Sequence, residues 1–203
     1  ALHLLLEEAG GPLTKQQFEL VGTAKEDSER LLRTLNNLLD LTRLEESAPE
    51  LNHSICTVEE LVTAIADQQN NLNLKIEIEN DLPSLFIDRE KIDHVFSNFL
   101  TNARKHSNDD DPVIIRAQKL LDDQIRISII DRGPGISNEH QERIFEKFYR
   151  VPGQASTGAG LGLSIAREIA LLHRGNVGVI SEPGNGCEFF IDLPAAHEDS
   201  MVA

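Results

Sequence analysis

Between Lys91 and Ser107 the chain reads KIDHVFSNFLTNARKHS, and the period of this run limits what can be built around it. Wound at 3.6 residues per turn, Asn98, Asn102 and Lys105 fall in one stripe within about 60° of each other. Ile92, Val95, Phe99 and Ala103 fall on a separate face that only a core can cover. Two carboxamides and one ammonium at spacings of four and three suit a metal-bound polyphosphate: amide oxygens ligate Mg²⁺, and the lysine neutralises phosphate oxygens. A plain solvated helix face has the same composition, so the stripe alone leaves both readings open.

With 203 residues, 40% of them hydrophobic and 26% charged, the chain can form one or two domains with a real core. Its formal charge of −15 repels nucleic acid and anionic lipid, so neither is expected as a general partner. A local basic pocket for an anionic small ligand is compatible with that charge. Cys56 and Cys187 stand in no metal-ligand spacing and read as reduced thiols. No apolar run approaches the roughly 18 residues of a membrane span, so no membrane contact is expected from these residues. The chain opens at Ala1 in mid-pattern, without Met, and we expect it to be a piece of a longer protein.

Residues 2–8 read as an apolar helix stopped by Gly10-Gly11-Pro12, and a second helix starts near Leu13–Thr14. The second helix carries a heptad seam, Val21, Ala24, Ser28, Leu31, Leu35, Leu38 and Thr42, widened by Leu32 and Leu39. A single hairpin can bury so wide a stripe only against another hairpin, so residues 2–46 are expected to form a homodimeric four-helix bundle. Residues 47–54 are polar and contain proline, as a linker would. A second pattern runs from Ile55 to about residue 195. Thr57-Val-Glu-Glu-Leu opens a helix with a capping box, and Leu74–Glu79 alternates as a strand. Leu85–Ile87 is a short strand whose following Asp88 caps the asparagine helix. Residues 113–117 pair with 124–130, and 177–181 with 187–193, as hairpins. Residues 139–148 and 161–174 are helical, and the tail 196–203 is expected to be disordered. The fold class is α+β: a helical hairpin, then a sandwich with a mixed, mostly antiparallel sheet covered by helices on one face.

Two glycine-bearing stretches and a pair of aromatics between them add chemistry. Ile127–Ile130 ends at Asp131-Arg132-Gly133-Pro134-Gly135-Ile136, where glycines let the backbone approach a flat ligand and a carboxylate accepts an exocyclic amine. A turn after an edge strand uses the same residue types. Thr157-Gly158-Ala159-Gly160-Leu161-Gly162-Leu163-Ser164 opens a helix with free N–H groups and its positive dipole end, which suits phosphates. It lacks the Lys-Ser/Thr pair of a P-loop and does not directly follow a strand. Between them, Phe145 and Phe148 precede a small polar loop, 151–157; they suit a lid over a nucleotide or a plain docking of helix on core.

In this order and spacing, the motifs resemble the sensor histidine kinases of bacterial two-component systems, whose ATP-binding domain shares its fold with gyrase B, MutL-type proteins and a heat-shock chaperone. Asn98, Asn102, Lys105 and His106 match that family's asparagine box. Asp131, Gly133, Gly135 and Ile136 match its first glycine box, and Phe145 and Phe148, with Tyr149 and Arg150 following, its phenylalanine box. Gly158, Gly160, Leu161, Gly162 and Leu163 match the second glycine box, and Gly184–Gly186 a third. The resemblance implies an ATP site in which Asn98 and Asn102 hold Mg²⁺, Lys105 binds phosphate and Asp131 accepts the adenine amine. His106, standing where the family has Tyr or Phe, lies near the ribose and phosphates, and Arg150 reaches the γ-phosphate. It also implies a response-regulator receiver domain as partner and a cytoplasmic position below a membrane-anchored sensor.

One family element is missing. The acceptor histidine sits in a His-Glu-x-x-Arg-Thr-Pro-like run, and none of the seven histidines here has that context. The 203 residues are therefore expected to bind Mg·ATP without phosphorylating themselves.

Overall fold

Residues 113–119 (VIIRAQK) and 124–131 (QIRISIID) alternate in burial, and that period-two pattern sets one face of a sheet against a core. The computed structural model describes residues 2–7, 11–46, 50–69, 73–107, 111–152 and 159–196. In it, β4 (Val113–Lys119) pairs antiparallel with β5 (Gln124–Asp131), placing Ile115 opposite Ile129 and Ala117 opposite Ile127. β5 pairs with β7 (Cys187–Pro194), and β7 with β6 (Asn176–Ser181), both antiparallel. β2 (Leu74–Ile78) joins the other edge in parallel with β4, which completes a five-stranded mixed sheet in the order β2-β4-β5-β7-β6.

Helices α3 (Val58–Asp67), α4 (Arg89–His106) and α6 (Gly162–Leu172) contribute to one core with the inner face of this sheet. The largest buried side chains include Phe96, Phe99, Ile127 and Ile165, and Phe99 stacks on Phe189 with ring centroids 5.7 Å apart. The opposite face of the sheet carries charges neutralised in place. Arg126 makes two hydrogen bonds to Asp192, at 2.7 and 2.8 Å, and lies 3.6 Å over the Phe190 ring.

Local signals set the helix starts. Thr57 and Glu60 close the expected capping box on α3. Asp88 caps α4: its carboxylate accepts from the Lys91 N–H at 3.2 Å and from the Asn52 N–H at 3.0 Å. A buried histidine holds the same point. His173 Nδ1 donates to the Ile169 carbonyl at 2.8 Å, and its Nε2 accepts from the Asp88 N–H at 3.0 Å. Accepting from the Asp88 N–H needs the neutral ring, and burial lowers the His173 pKa against the opposing pull of the Ile169 carbonyl.

Several elements differ from the sequence reading. β1 (His53–Cys56) starts inside the stretch read as linker, because it pairs antiparallel with β3 (Leu85–Asp88) in a separate two-stranded sheet; no local period distinguishes so short a pairing. The helical stretch 139–148 breaks into α5 (Asn138–Gln141) and a 3₁₀ turn, Arg143–Phe145. At the start of the chain, α1 (Leu2–Leu6) packs on α2 (Lys15–Glu46) as a hairpin. The leucine seam of α2 stays open in this single chain, with Leu31 71%, Leu35 53% and Leu38 42% exposed. The expected disorder of the tail falls on residues 197–203, outside the described residues, apart from Ala196.

Candidate functional site

Once Asp88 fixes where α4 begins, the helix period decides what each residue faces. Ile92, Val95, Phe96, Phe99, Leu100 and Ala103 go to the core, and Asn98, Asn102, Lys105 and His106 line a cavity of about 450 Å³. Opposite them, β5 ends at Asp131, which is buried in the cavity wall. The Gly133 N–H donates to its Oδ1 at 2.7 Å. Burial raises the Asp131 pKa, while hydrogen bonds from the Gly133 and Cys187 backbone and the charge of His106 pull it back. Burial likewise lowers the pKa of half-buried His106, and the Asp131 charge opposes that shift. The pair forms one end of the cavity, a buried acceptor beside an imidazole.

Glycines make close approaches that no other residue permits. A Cβ on Gly162 would stand 2.6 Å from the Asn98 Oδ1, so the start of α6 touches the carboxamide only because Gly162 has no side chain. Gly135 has φ +73 and Gly186 φ +78, and a Cβ on either would run into a backbone carbonyl, of Glu182 and Asp131 respectively. The Gly184 N–H donates to the Pro134 carbonyl at 2.7 Å. The turn at 183–186 thus clasps the loop at 133–135 and holds Asp131 in place.

Gly135, Ile136, Tyr149, Arg150, Gly160, Leu161, Gly162 and Leu163 all border the cavity. Gly133 supports Asp131 from behind, and Gly158 lies outside the described residues. The two phenylalanines divide. Phe145 is buried, whereas Phe148 is 63% exposed with φ +63, so only one of them anchors the segment before the loop. Tyr149 is held instead by its hydroxyl, 2.7 Å from His140 Nδ1, with the Arg143 guanidinium 4.3 Å over its ring. Of the loop 151–157, residues 153–157 lie outside the described residues.

Sequence reasoning missed five of the lining residues, on three elements. His94 lines the cavity one helical turn before Asn98, a spacing of four that extended the stripe in plain view. Cys187 sits in register with Asp131 across β5 and β7, and burial pushes its thiol up to about 11, so it lines the cavity protonated. Thr34, Asn36 and Asn37 come from α2; no sequence signal joins them to a site so far along the chain.

The donor set favours a metal shared with a ligand. Among the described residues no group of three or more His, Cys, Asp or Glu could hold a metal. Asn98 and Asn102 offer neutral oxygens, and the Asn98 Nδ2 is buried without a partner. Such a sparse oxygen set fits Mg²⁺, which keeps waters and takes phosphate oxygens as ligands.

The sequence profile of the family described as "Histidine kinase-, DNA gyrase B-, and HSP90-like ATPase" matches residues 87–197. The alginate biosynthesis sensor protein KinB of Pseudomonas aeruginosa is 34% identical over 200 residues, which are 96% of this chain and 33% of that protein. The sensor protein kinase WalK of Staphylococcus aureus strain MRSA252 is 31% identical over 197 residues, 93% of this chain and 32% of that protein. The chain thus spans about a third of the length of these relatives. The crystal structure of full-length ShkA in complex with AMPPNP superposes with a TM-score of 0.79 at 29% identity, covering 96% of this chain and 42% of that one.

Proposed function

The chain belongs to the histidine kinase-, DNA gyrase B- and HSP90-like ATPase family, and from that premise we propose that it is the ATP-binding core of a sensor histidine kinase. The observation that carries this reading is one cavity bordered by Asp131, by the Asn98–Asn102–Lys105 stripe and by the glycine-opened start of α6. ShkA, similar over nearly the whole chain, is complexed with AMPPNP.

In this reading the adenine amine donates to Asp131, oriented by Gly133, with His106 beside the sugar and phosphates. Asn98 and Asn102 hold Mg²⁺, which neutralises charge on the phosphates when bound. Lys105 and Arg150 add positive charge, and the N–H groups at Gly160–Leu163 cradle the phosphate chain. The protein's part is positioning and electrostatic stabilisation of the transferred phosphoryl group. The acceptor is a histidine nitrogen presented outside these 203 residues, since no histidine here stands in the expected run. From there the phosphoryl group passes to an aspartate of a response-regulator receiver domain. Residues 2–46 pair with a second copy through the open leucine seam, and the core works on the cytoplasmic side of a membrane-anchored sensor. Among the described residues no helix is long and apolar enough to cross a membrane.

Calorimetric titration with a non-hydrolysable ATP analogue, with and without Mg²⁺, tests the site. Wild type should bind in a Mg²⁺-dependent way, and Asp131→Asn should lose at least about tenfold in affinity, one charge-assisted hydrogen bond. Because the raised Asp131 pKa belongs to the free site, affinity should be full above that pKa and fall as pH drops through it. No binding by wild type sinks the reading.

A further inference from the structure

The cavity reaches α2. Thr34 and Asn37 border it together with His94, Ser97 and Thr101 of α4, and α2 packs on α6, whose glycine-opened start borders the same cavity. On α2, Thr34, Asn37 and Leu41 follow at spacings of three and four and share one face. Leu41 is 3% exposed and packs into the core cluster, so this is the face by which α2 docks on the domain. The open leucine seam lies on another side of the same helix, roughly 100° around.

Helix α4 serves as a ruler. His94 and His106 are twelve residues apart, about 18 Å at 1.5 Å per residue. The His106 end carries Asp131, where the base sits if the chain is the ATP-binding core proposed above; the role of α2 rests on that reading. Asn98 and Asn102 lie between. The outermost phosphate therefore falls on the far side of the asparagines from Asp131, beside the start of α6 on which α2 packs.

We propose that α2 completes the nucleotide site, and that Asn37 is a binding residue for the outermost phosphate of a nucleoside triphosphate. Its carboxamide is half-buried and neutral, so it donates to a phosphate oxygen without adding charge to the site. Thr34, one turn earlier, borders the same end. Through α2 the chain tells a triphosphate from a diphosphate, a distinction that the base end cannot make.

The test is calorimetry with Mg²⁺ and a non-hydrolysable ATP analogue, and separately with Mg·ADP, on wild type, Asn37→Ala and Asn37→Asp. Asn37→Asp keeps the shape but puts an anion against the outermost phosphate. It should weaken triphosphate binding about tenfold and diphosphate binding less than about twofold. Asn37→Ala should show a smaller loss confined to the triphosphate. An unchanged triphosphate affinity in Asn37→Asp, or equal losses for both nucleotides in a variant that melts like wild type, overturns the proposal. Should Asn37→Asp fail to fold, Thr34→Val carries the same comparison. A wild type that binds ADP but gains nothing from the third phosphate also overturns it, while leaving the nucleotide site intact. Wild type that binds neither nucleotide overturns both readings.

Discussion

Helix α4, 18 residues long, buries Ile92, Val95, Phe96, Phe99, Leu100 and Ala103 and turns its asparagines into the cavity. Helix α2, at 32 residues, leaves Leu31, Leu35 and Leu38 open and, among its described side chains, buries Leu41. Both are amphipathic, yet their apolar faces have opposite fates. The sheet lies within reach of α4, so its apolar face is satisfied inside the chain and its polar face is left for a ligand. Among the described residues nothing covers Leu31, Leu35 and Leu38 of α2, and the helix meets the domain at α6 with Leu41 in the core. An amphipathic period thus states that a face must be covered, and does not state by what.

The sharpest way to break this comparison is to truncate each apolar face in turn. Phe99→Ala, fully buried on α4 and stacked on Phe189, should cost about 3–5 kcal/mol in chemical denaturation. A loss below about 1 kcal/mol would mean that α4 is not the centre of the core.

Gly162→Ala sharpens the comparison on the polar side of α4. At this first position of the helix alanine gains less than the roughly 1 kcal/mol of a helix interior, and its Cβ would stand 2.6 Å from the Asn98 Oδ1, which must shift. We expect little change in melting temperature together with at least a tenfold loss of Mg·ATP-analogue affinity, about 1.4 kcal/mol. Retained affinity would show that the Asn98 carboxamide need not lie against α6.

The anchor at the start of α4 predicts a pH dependence. His173 is neutral in the fold, its pKa lowered first by burial and also by the charge of His53. A histidine lowered on folding stabilises the native state fully above the unfolded value of about 6.5. That contribution is lost as pH falls from there toward the folded value, because the unfolded chain binds the extra proton first. Denaturation midpoints measured between pH 8 and pH 5 should therefore fall on the acid side less steeply in His173→Gln than in wild type. Equal slopes would remove His173 from the account.

The smallest effect is expected on α2. Leu35→Ala at a 53% exposed position should change the stability of the dilute chain by less than about 0.5 kcal/mol, while lowering self-association in light scattering at high concentration. A stability loss near that of Phe99→Ala would mean that the seam is packed even in the single chain.

The stripe of α4, the Thr57 and Asp88 caps and the hairpin strands were all legible in the sequence, because each is written within one or two helical turns or across a short turn. Period, cap chemistry and glycine spacing are local properties, and they sufficed for the α+β class; it was the resemblance of the whole motif order to a known family that brought Asn98, Asn102, Lys105 and Asp131 under one reading. Tertiary structure alone decided what no local rule carries. The pairing of β1 with β3 rests on residues more than 30 positions apart, as His53 opposite Asp88 shows. Phe148 looked equivalent to Phe145 but took a positive φ and faced outward, because the backbone turn around Gly160 determined its direction. Cys187 reached the cavity through sheet register, and Asn37 through the docking of Leu41. Each of these placements depends on which surfaces meet, and the meeting of surfaces is a free-energy balance over the whole chain that no stretch of residues contains by itself.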